Sequence, residues 1–264
     1  MIKRAARLTK SLADWCTDWF RTVKYNHLKG ASFTTKRRLG HWKITTWDGV
    51  EICFATNPFL AFYEISNGYL GGKGWKIKEG MTVVDAGACF GEFTIYAAFR
   101  VGDTGRVVVL EPDPVNQEAI KRNFELSGGM PNNVTFVDAG LWTCRDTLTF
   151  GSGAGASSSL VETKATHADS TTKIDVAVLC LADLVKELGL KRLDLIKMDI
   201  EGAEIEAIEK QGAVLQKYQP RIAIASYHIR DGAKTALSLE KIMKSFGMQV
   251  ETVFPLHLTT RGWF

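Results

Sequence analysis

Between Thr82 and Phe246 short apolar runs alternate with stretches of helical periodicity, and this alternation constrains the fold more than any other feature of the 264-residue chain. The apolar runs are Thr82–Asp85, Arg106–Leu110, Val134–Val137, Leu193–Met198 and Arg221–Ala225. Helical patterns fit between and after them, over about Glu92–Arg100, Val115–Ser127, Glu201–Lys217 and Ala236–Phe246. Short strands joined by helices of this length form βαβ units, because parallel strands need a crossover connection. Two further runs, Gln249–Phe254 and Leu256–Trp263, meet at Pro255 and predict a terminal antiparallel strand. The expected fold is a doubly wound α/β domain with a mostly parallel, seven-stranded, Rossmann-like sheet.

Residues 1–58 read as an extension of helical and hairpin character, ahead of a domain over 59–264. Leu8, Leu12, Trp15, Trp19 and Val23 recur at steps of three and four, which predicts an amphipathic helix over about residues 5–25. The pattern from His41 to Thr56 alternates around Asp48-Gly49, a hairpin signal. Asn57-Pro58 opens a short helix over Phe59–Tyr69, and Gly71, Gly72 and Gly74 lead into a linker near 71–80. The stretch Gly151–Ser159 is small, polar and glycine-rich and continues in a polar tail to Thr172; it reads as a mobile loop that lies near the site and orders when ligand binds.

Charge is unevenly placed. Residues 1–43 carry 11 Lys/Arg against Asp14 and Asp18, a net of +9, whereas residues 44–264 carry 22 basic and 27 acidic side chains, a net of −5. A core of net negative charge is not built to track a nucleic-acid backbone, so a nucleic-acid partner is not expected; the basic arm leaves open contact with phosphates or an anionic membrane surface. The run Lys36-Arg37-Arg38 reads as a solvated face. Five cysteines, 36 or more residues apart and without a CxxC pair, disfavour a disulfide scaffold or structural zinc and favour a reducing, cytoplasmic compartment.

The first strand of the core ends in Asp85-Ala86-Gly87-Ala88-Cys89-Phe90-Gly91, a glycine turn that opens a helix and lets a ligand approach backbone N–H groups. The next strand ends in Glu111, 20 residues past Gly91, where an acid in this architecture accepts both hydroxyls of a ribose. A dinucleotide fingerprint would read Gly-x-Gly-x-x-Gly to admit a pyrophosphate. Here the spacing is Gly87-x-x-x-Gly91 with Asp85 ahead of it, and an acid there suits a cationic ligand. S-adenosylmethionine, with its sulfonium and α-ammonium, fits better than NAD. The expected cofactor contacts are Asp85, Ala86, Gly87, Ala88, Gly91 and Glu111, with Asp138 at the end of the third strand placed to accept from an adenine amino group.

These residues also carry a resemblance. Asp85-Ala-Gly-Ala-x-x-Gly91-x-x-Thr94, Glu111-Pro112-Asp113-Pro114 with Asn123, and Asp194-Leu-Ile-Lys197-Met-Asp199-Ile-Glu201-Gly202-Ala203-Glu204 together resemble the FkbM family of S-adenosylmethionine-dependent methyltransferases, over about residues 59–254. The resemblance implies a class I methyltransferase domain and methyl transfer to a hydroxyl of a sugar, glycolipid or secondary metabolite. Nitrogen or macromolecule methylation, an NAD-dependent oxidoreductase and a non-catalytic interaction domain are the alternatives. Many members place an acid after the fifth strand, where this chain has Ser226-Tyr227-His228.

Read physically, Asp199 falls at the carboxyl end of a central strand, where doubly wound sheets bind ligands. Asp199 and His228 are the expected catalytic residues, His228 as a base for an acceptor hydroxyl. Glu201 and Glu204 are expected in the first turn of the following helix. Lys197 is expected either to pair with Glu204 or Glu64 or to meet substrate. Asp199 and Glu201 could hold a cation, but no third ligand is evident, so no metal ligand is assigned and metal dependence stays open. His257 has no comparable setting in the sequence.

Overall fold

Residues 33–153, 159–160 and 172–264 are described by the structure, a computed structural model, and the chain divides into two compact units, 1–60 and 61–264. The amphipathic helix expected over residues 5–25 lies outside the described residues.

In the first unit β1 (Thr34–Arg38), β2 (His41–Thr45) and β3 (Glu51–Phe54) form an antiparallel sheet in that order. The β2–β3 hairpin turns at Asp48-Gly49, with Gly49 at φ +85° and the Thr46 N–H donating to the Val50 carbonyl at 2.9 Å. Trp42, Ile44, Ile52 and Phe54 are buried, whereas Lys36, Arg37 and Arg38 on β1 are exposed, as a solvated face requires.

A short helix, α1 (Phe59–Glu64), runs on into a π-helical turn over Ile65–Tyr69 and leads into the second unit. That unit is built on a seven-stranded sheet. Its strands are β4 (Thr82–Ala86), β5 (Arg106–Leu110), β6 (Val134–Val137), β11 (Leu195–Met198), β12 (Arg221–Ala225), β15 (Gln249–Val253) and β16 (Thr259–Trp263), in the order β15-β16-β12-β11-β4-β5-β6. The pairs β12–β11, β11–β4, β4–β5 and β5–β6 are parallel; β16 enters antiparallel between β12 and β15, so both last runs are strands, and β13 (Ile229–Arg230) and β14 (Ala233–Lys234) pair with each other outside this sheet. The five residues of β4 are all buried, as are the last four of β5, because helices cover both faces of a parallel sheet. The connecting helices are α2 (Glu92–Val101), α3 (Pro114–Leu126), α4 (Leu181–Glu187), α5 (Glu204–Glu209), α6 (Gly212–Tyr218) and α7 (Ala236–Ser245). Val84, Val108, Ile196, Ile222 and Leu239 belong to its main core cluster.

Three expectations need correction. The single helix over Glu201–Lys217 is two, α5 and α6, broken at Lys210-Gln211; Glu201 lies before α5 in a turn at φ +54°. The glycine-rich stretch is not wholly a loop: Gly151 and Ser152 end β8 (Asp146–Ser152), and Ser159-Leu160 is β9. Third, β8 and β9 join β7 (Gly140–Leu141) and β10 (Thr172–Leu179) in a second sheet, ordered β7-β10-β8-β9, that the sequence reading did not anticipate. Within β10 the burial of alternate residues is incomplete, so the strand depends on pairing with β8 from Thr172–Ser152 to Val178–Asp146. Residues 154–158 and 161–171 lie outside the described residues, and with them most of the loop expected to order on ligand. Cys89, Cys144 and Cys180 are free.

Candidate active site

The expected site residues gather where β4, β5, β11 and β12 end. The turn after β4 is backbone-driven: Gly87, Cys89 and Gly91 take φ of +74°, +53° and +84°. A side chain at Gly87 would overlap the Asp199 carbonyl, so only glycine lets the β4 and β11 ends come this close. The Gly87 N–H donates to the Leu110 carbonyl at 3.0 Å, and Asn123 Nδ2 holds the Phe90 carbonyl at 2.8 Å from α3.

Glu111 sits immediately beyond β5 and is almost wholly buried. Its Oε2 accepts from the Cys89 N–H at 2.8 Å and its Oε1 from the Asp113 N–H at 3.0 Å, which links the acid to the glycine turn. Burial pushes its pKa up to about 7 in spite of these bonds. Asp113 caps α3 through the Val115 N–H at 2.9 Å and also accepts from Ser152 Oγ at 2.7 Å and the Gly153 N–H at 3.0 Å. The start of the glycine-rich stretch is thereby tied two residues from Glu111. Asp138 is exposed beyond β6, where it accepts from Gln117 Nε2; the same amide donates to the Glu111 carbonyl at 2.9 Å.

Asp85 occupies a different place from the one expected. The register sets Lys197 of β11 opposite Asp85 of β4, so both side chains project from the same face. Lys197 Nζ lies 3.1 Å from Asp85 Oδ1, Thr94 Oγ1 donates to Oδ2, and Asp85 is fully buried. The cation that this acid meets is therefore Lys197. Nor does Lys197 pair with Glu204 or Glu64: its ammonium also donates to the Gly87 carbonyl at 2.6 Å. Burial acts to lower the Lys197 pKa, but Asp85 and then Asp199 outweigh it and the net shift is upward. Asp85 thus shapes the turn from within.

At the ends of β11 and β12 the structure unites Asp199, Glu201, Glu204 and His228. Tyr69 Oη, from the π-helical turn, donates to Asp199 Oδ2 at 2.8 Å. His228 Nε2 lies 3.8 Å from Asp199 Oδ1 and 3.3 Å from Glu201 Oε2, and Nδ1 lies 3.1 Å from Glu204 Oε1. Glu204 is fully buried and its Oε1 accepts from the Ile200 and Gly202 N–H groups at 3.1 and 3.2 Å. Burial alone would lower the His228 pKa, yet the Glu204 charge and contacts with Glu201 and Glu204 push it up to about 11. The surrounding carboxylates thus favour the charged form of the ring. Atoms of Asp199, Glu204 and His228 lie within 4.8 Å of one another, a spacing that could hold a metal ion.

Rings line this side. Tyr227 lies between His228 and His257, tilted to both rings, with centroids 4.1 and 4.3 Å away, and Tyr69 meets His257 edge-on at 5.9 Å. His257 Nε2 is 3.7 Å from Glu64 Oε2. Burial lowers the His257 pKa and, with the Asp199 charge, raises that of Glu64 to about 8. Tyr69 and His257 escaped the sequence reading because each reaches Asp199 or Tyr227 only through tertiary contacts; the one legible signal was Glu64, weighed as a partner for Lys197.

A seven-stranded sheet of this order with a glycine turn after β4 and an acid after β5 defines a class I methyltransferase fold. The chain belongs to the FkbM methyltransferase family: residues 85–250 match the family model described as the methyltransferase FkbM domain. Methyltransferase sdnD of Sordaria araneosa is 29% identical over 154 residues, covering 48% of this chain and 59% of that protein. Methyltransferase 1 of Beauveria bassiana (strain ARSEF 2860) is 31% identical over 146 residues, covering 48% and 56%. The crystal structure of methyltransferase FkbM from Methylobacillus flagellatus KT shares the fold at a TM-score of 0.52 and 17% identity, covering 80% of this chain and 51% of that one. The chain thus spans between half and three fifths of the length of each of these relatives.

Proposed function

We propose that this protein transfers the methyl group of S-adenosylmethionine to a hydroxyl of a small ring-bearing acceptor, a sugar, glycolipid or secondary metabolite. One observation carries the reading: the Gly87–Gly91 turn with Glu111 and the Asp199–His228 group lie at the carboxyl ends of neighbouring strands. Doubly wound sheets bind ligands at that edge. The donor half is the turn and Glu111, which accepts the ribose hydroxyls, with Asp138 toward the adenine. Asp85 and Lys197 hold the turn in shape rather than meet the donor.

Methyl transfer from a sulfonium is an in-line displacement, so the protein's work is to hold the acceptor oxygen behind the methyl and keep water out. Asp199 is oriented by Tyr69 and leaves Oδ1 without a hydrogen-bond donor among the described residues. That oxygen and the groups around it engage the acceptor hydroxyl. Both fungal relatives are named as methyltransferases, which supports the reaction class.

Calorimetry with S-adenosylmethionine and with NAD tests the donor, and release of S-adenosylhomocysteine from labelled donor in metabolite extracts tests turnover. Binding of the methyl donor alone and labelled product are expected. Binding of NAD in its place would overturn the reading.

A further inference from the structure

We propose that Asp199, Glu204 and His228 form a binding site for one divalent first-row transition-metal cation, of the Mn²⁺ kind, beside the acceptor. The inference deepens the function proposed above and rests on it for the role of the ion, though not for its binding.

Three observations support the site. The three side chains come from separate elements, the end of β11, the start of α5 and the residues after β12, yet each supplies a ligand atom within 4.8 Å of the others. Second, Asp199 Oδ1, Glu204 Oε2 and both His228 ring nitrogens are cut off from solvent, and none has a hydrogen bond among the described residues. The 3.1 Å approach of Nδ1 to Glu204 and the 3.3 Å approach of Nε2 to Glu201 are short enough for hydrogen bonds but lack the direction of one. Buried polar groups are nearly always satisfied, and an ion is among the few partners able to satisfy several at once. Third, Glu204 is entirely enclosed, and an enclosed carboxylate with one unpartnered oxygen is expensive unless a cation completes it.

The donor set selects the ion. One imidazole with two carboxylates suits Mn²⁺, Fe²⁺ or Zn²⁺, whereas Mg²⁺ and Ca²⁺ favour all-oxygen sets. Ligation takes the neutral imidazole, so the ion would replace the ring proton as the positive charge among these carboxylates. Glu201 lies alongside, 3.3 Å from Nε2. An ion here would polarise an acceptor oxygen.

The test is a titration of the full chain, freed of metal by chelation, with MnCl₂, following the free ion by electron paramagnetic resonance. One site is expected in the wild type, weakened at least tenfold in Glu204→Gln and in His228→Gln. Gln at 204 keeps the acceptor for the Ile200 and Gly202 N–H groups, and circular dichroism confirms folding; should that variant not fold, His228→Gln decides. Thermal unfolding should shift upward with MnCl₂ in the wild type and not in the variants. Wild type that leaves Mn²⁺ as free as the variants do, or variants that bind as well as wild type, would overturn the site. S-adenosylmethionine affinity measured on the same samples keeps the two readings apart: donor binding without Mn²⁺ binding sinks the ion alone, and Mn²⁺ binding without donor binding sinks the methyl-transfer reading alone.

Discussion

Lys197 Nζ lies 3.1 Å from Asp85 Oδ1, with both side chains buried at the junction of two parallel strands. The same ammonium holds the Gly87 carbonyl at 2.6 Å. An acid that reads as a contact for a cationic ligand is thus neutralised internally, and the pair sets the shape of the turn that the ligand meets.

Removing one partner of this pair leaves a buried charge uncompensated. Lys197→Met is expected to destabilise the protein by about 3–5 kcal/mol. The double variant Asp85→Asn/Lys197→Met should recover part of that loss, because the orphaned charge goes with it. Urea denaturation measures both; equal stability of Lys197→Met and wild type would mean that the pair is not the bond described here.

Glu111→Ala is expected to weaken S-adenosylmethionine by at least about 1.5 kcal/mol, since hydrogen bonds to a charged group contribute about 1.5–3 kcal/mol. Because the ribose hydroxyls need the carboxylate, and burial holds this group's pKa near 7, donor affinity should rise with pH up to about 7 and then level off. Calorimetry at several pH values reads both effects, and Glu111→Gln should flatten the profile.

Asp199→Asn and His228→Ala are expected to leave donor affinity within about threefold while slowing turnover at least ~10²-fold. Collapse of donor affinity in both would make them donor-binding or folding residues. Tyr69→Phe removes the 2.8 Å bond to Asp199 and should slow turnover more mildly, with KM for the acceptor little changed.

The metal-free protein should lose stability as pH rises. Burial raises Glu64 to about 8 and Glu92 and Glu111 to about 7 from an ordinary 4.5. From about 4.5 to 8 the native state therefore holds more protons than the unfolded chain, and the slope of stability with pH is negative. His228, raised from 6.5 to about 11, adds a loss in the same direction that begins near pH 6.5 and continues to about 11. Denaturation midpoints at pH 5 and pH 8 check the sign, and Glu64→Gln should shrink the difference. A higher midpoint at pH 8 would contradict the burial of these acids.

Gly87→Ala places a side chain against the Asp199 carbonyl at a backbone φ of +74°. Both the overlap and the left-handed conformation disfavour it. Donor binding should fall by more than tenfold in calorimetry, or the variant should melt well below wild type.

Some of this protein was legible along the chain because it is local. The buried runs of β4, β5, β11 and β12 are near-continuous apolar segments whose period and length mark parallel strands, and the Gly87–Gly91 turn and Glu111 stand at spacings set by one βαβ unit. The second sheet was not legible, because β10 is half exposed and exists only by pairing with β8 across 154–171. The partners of Asp85, Asp199 and His228 were not legible either. Strand register chose Lys197 for Asp85, a π-helical turn 130 residues away brought Tyr69 to Asp199, and a left-handed turn at Glu201 precedes the helix whose first residue, Glu204, faces His228. Spacing along one chain specifies which groups are available at the rim of a sheet. Which of them share a proton, a charge or an ion depends on distances of 3 to 4 Å between elements far apart in sequence, and only the packed structure sets those.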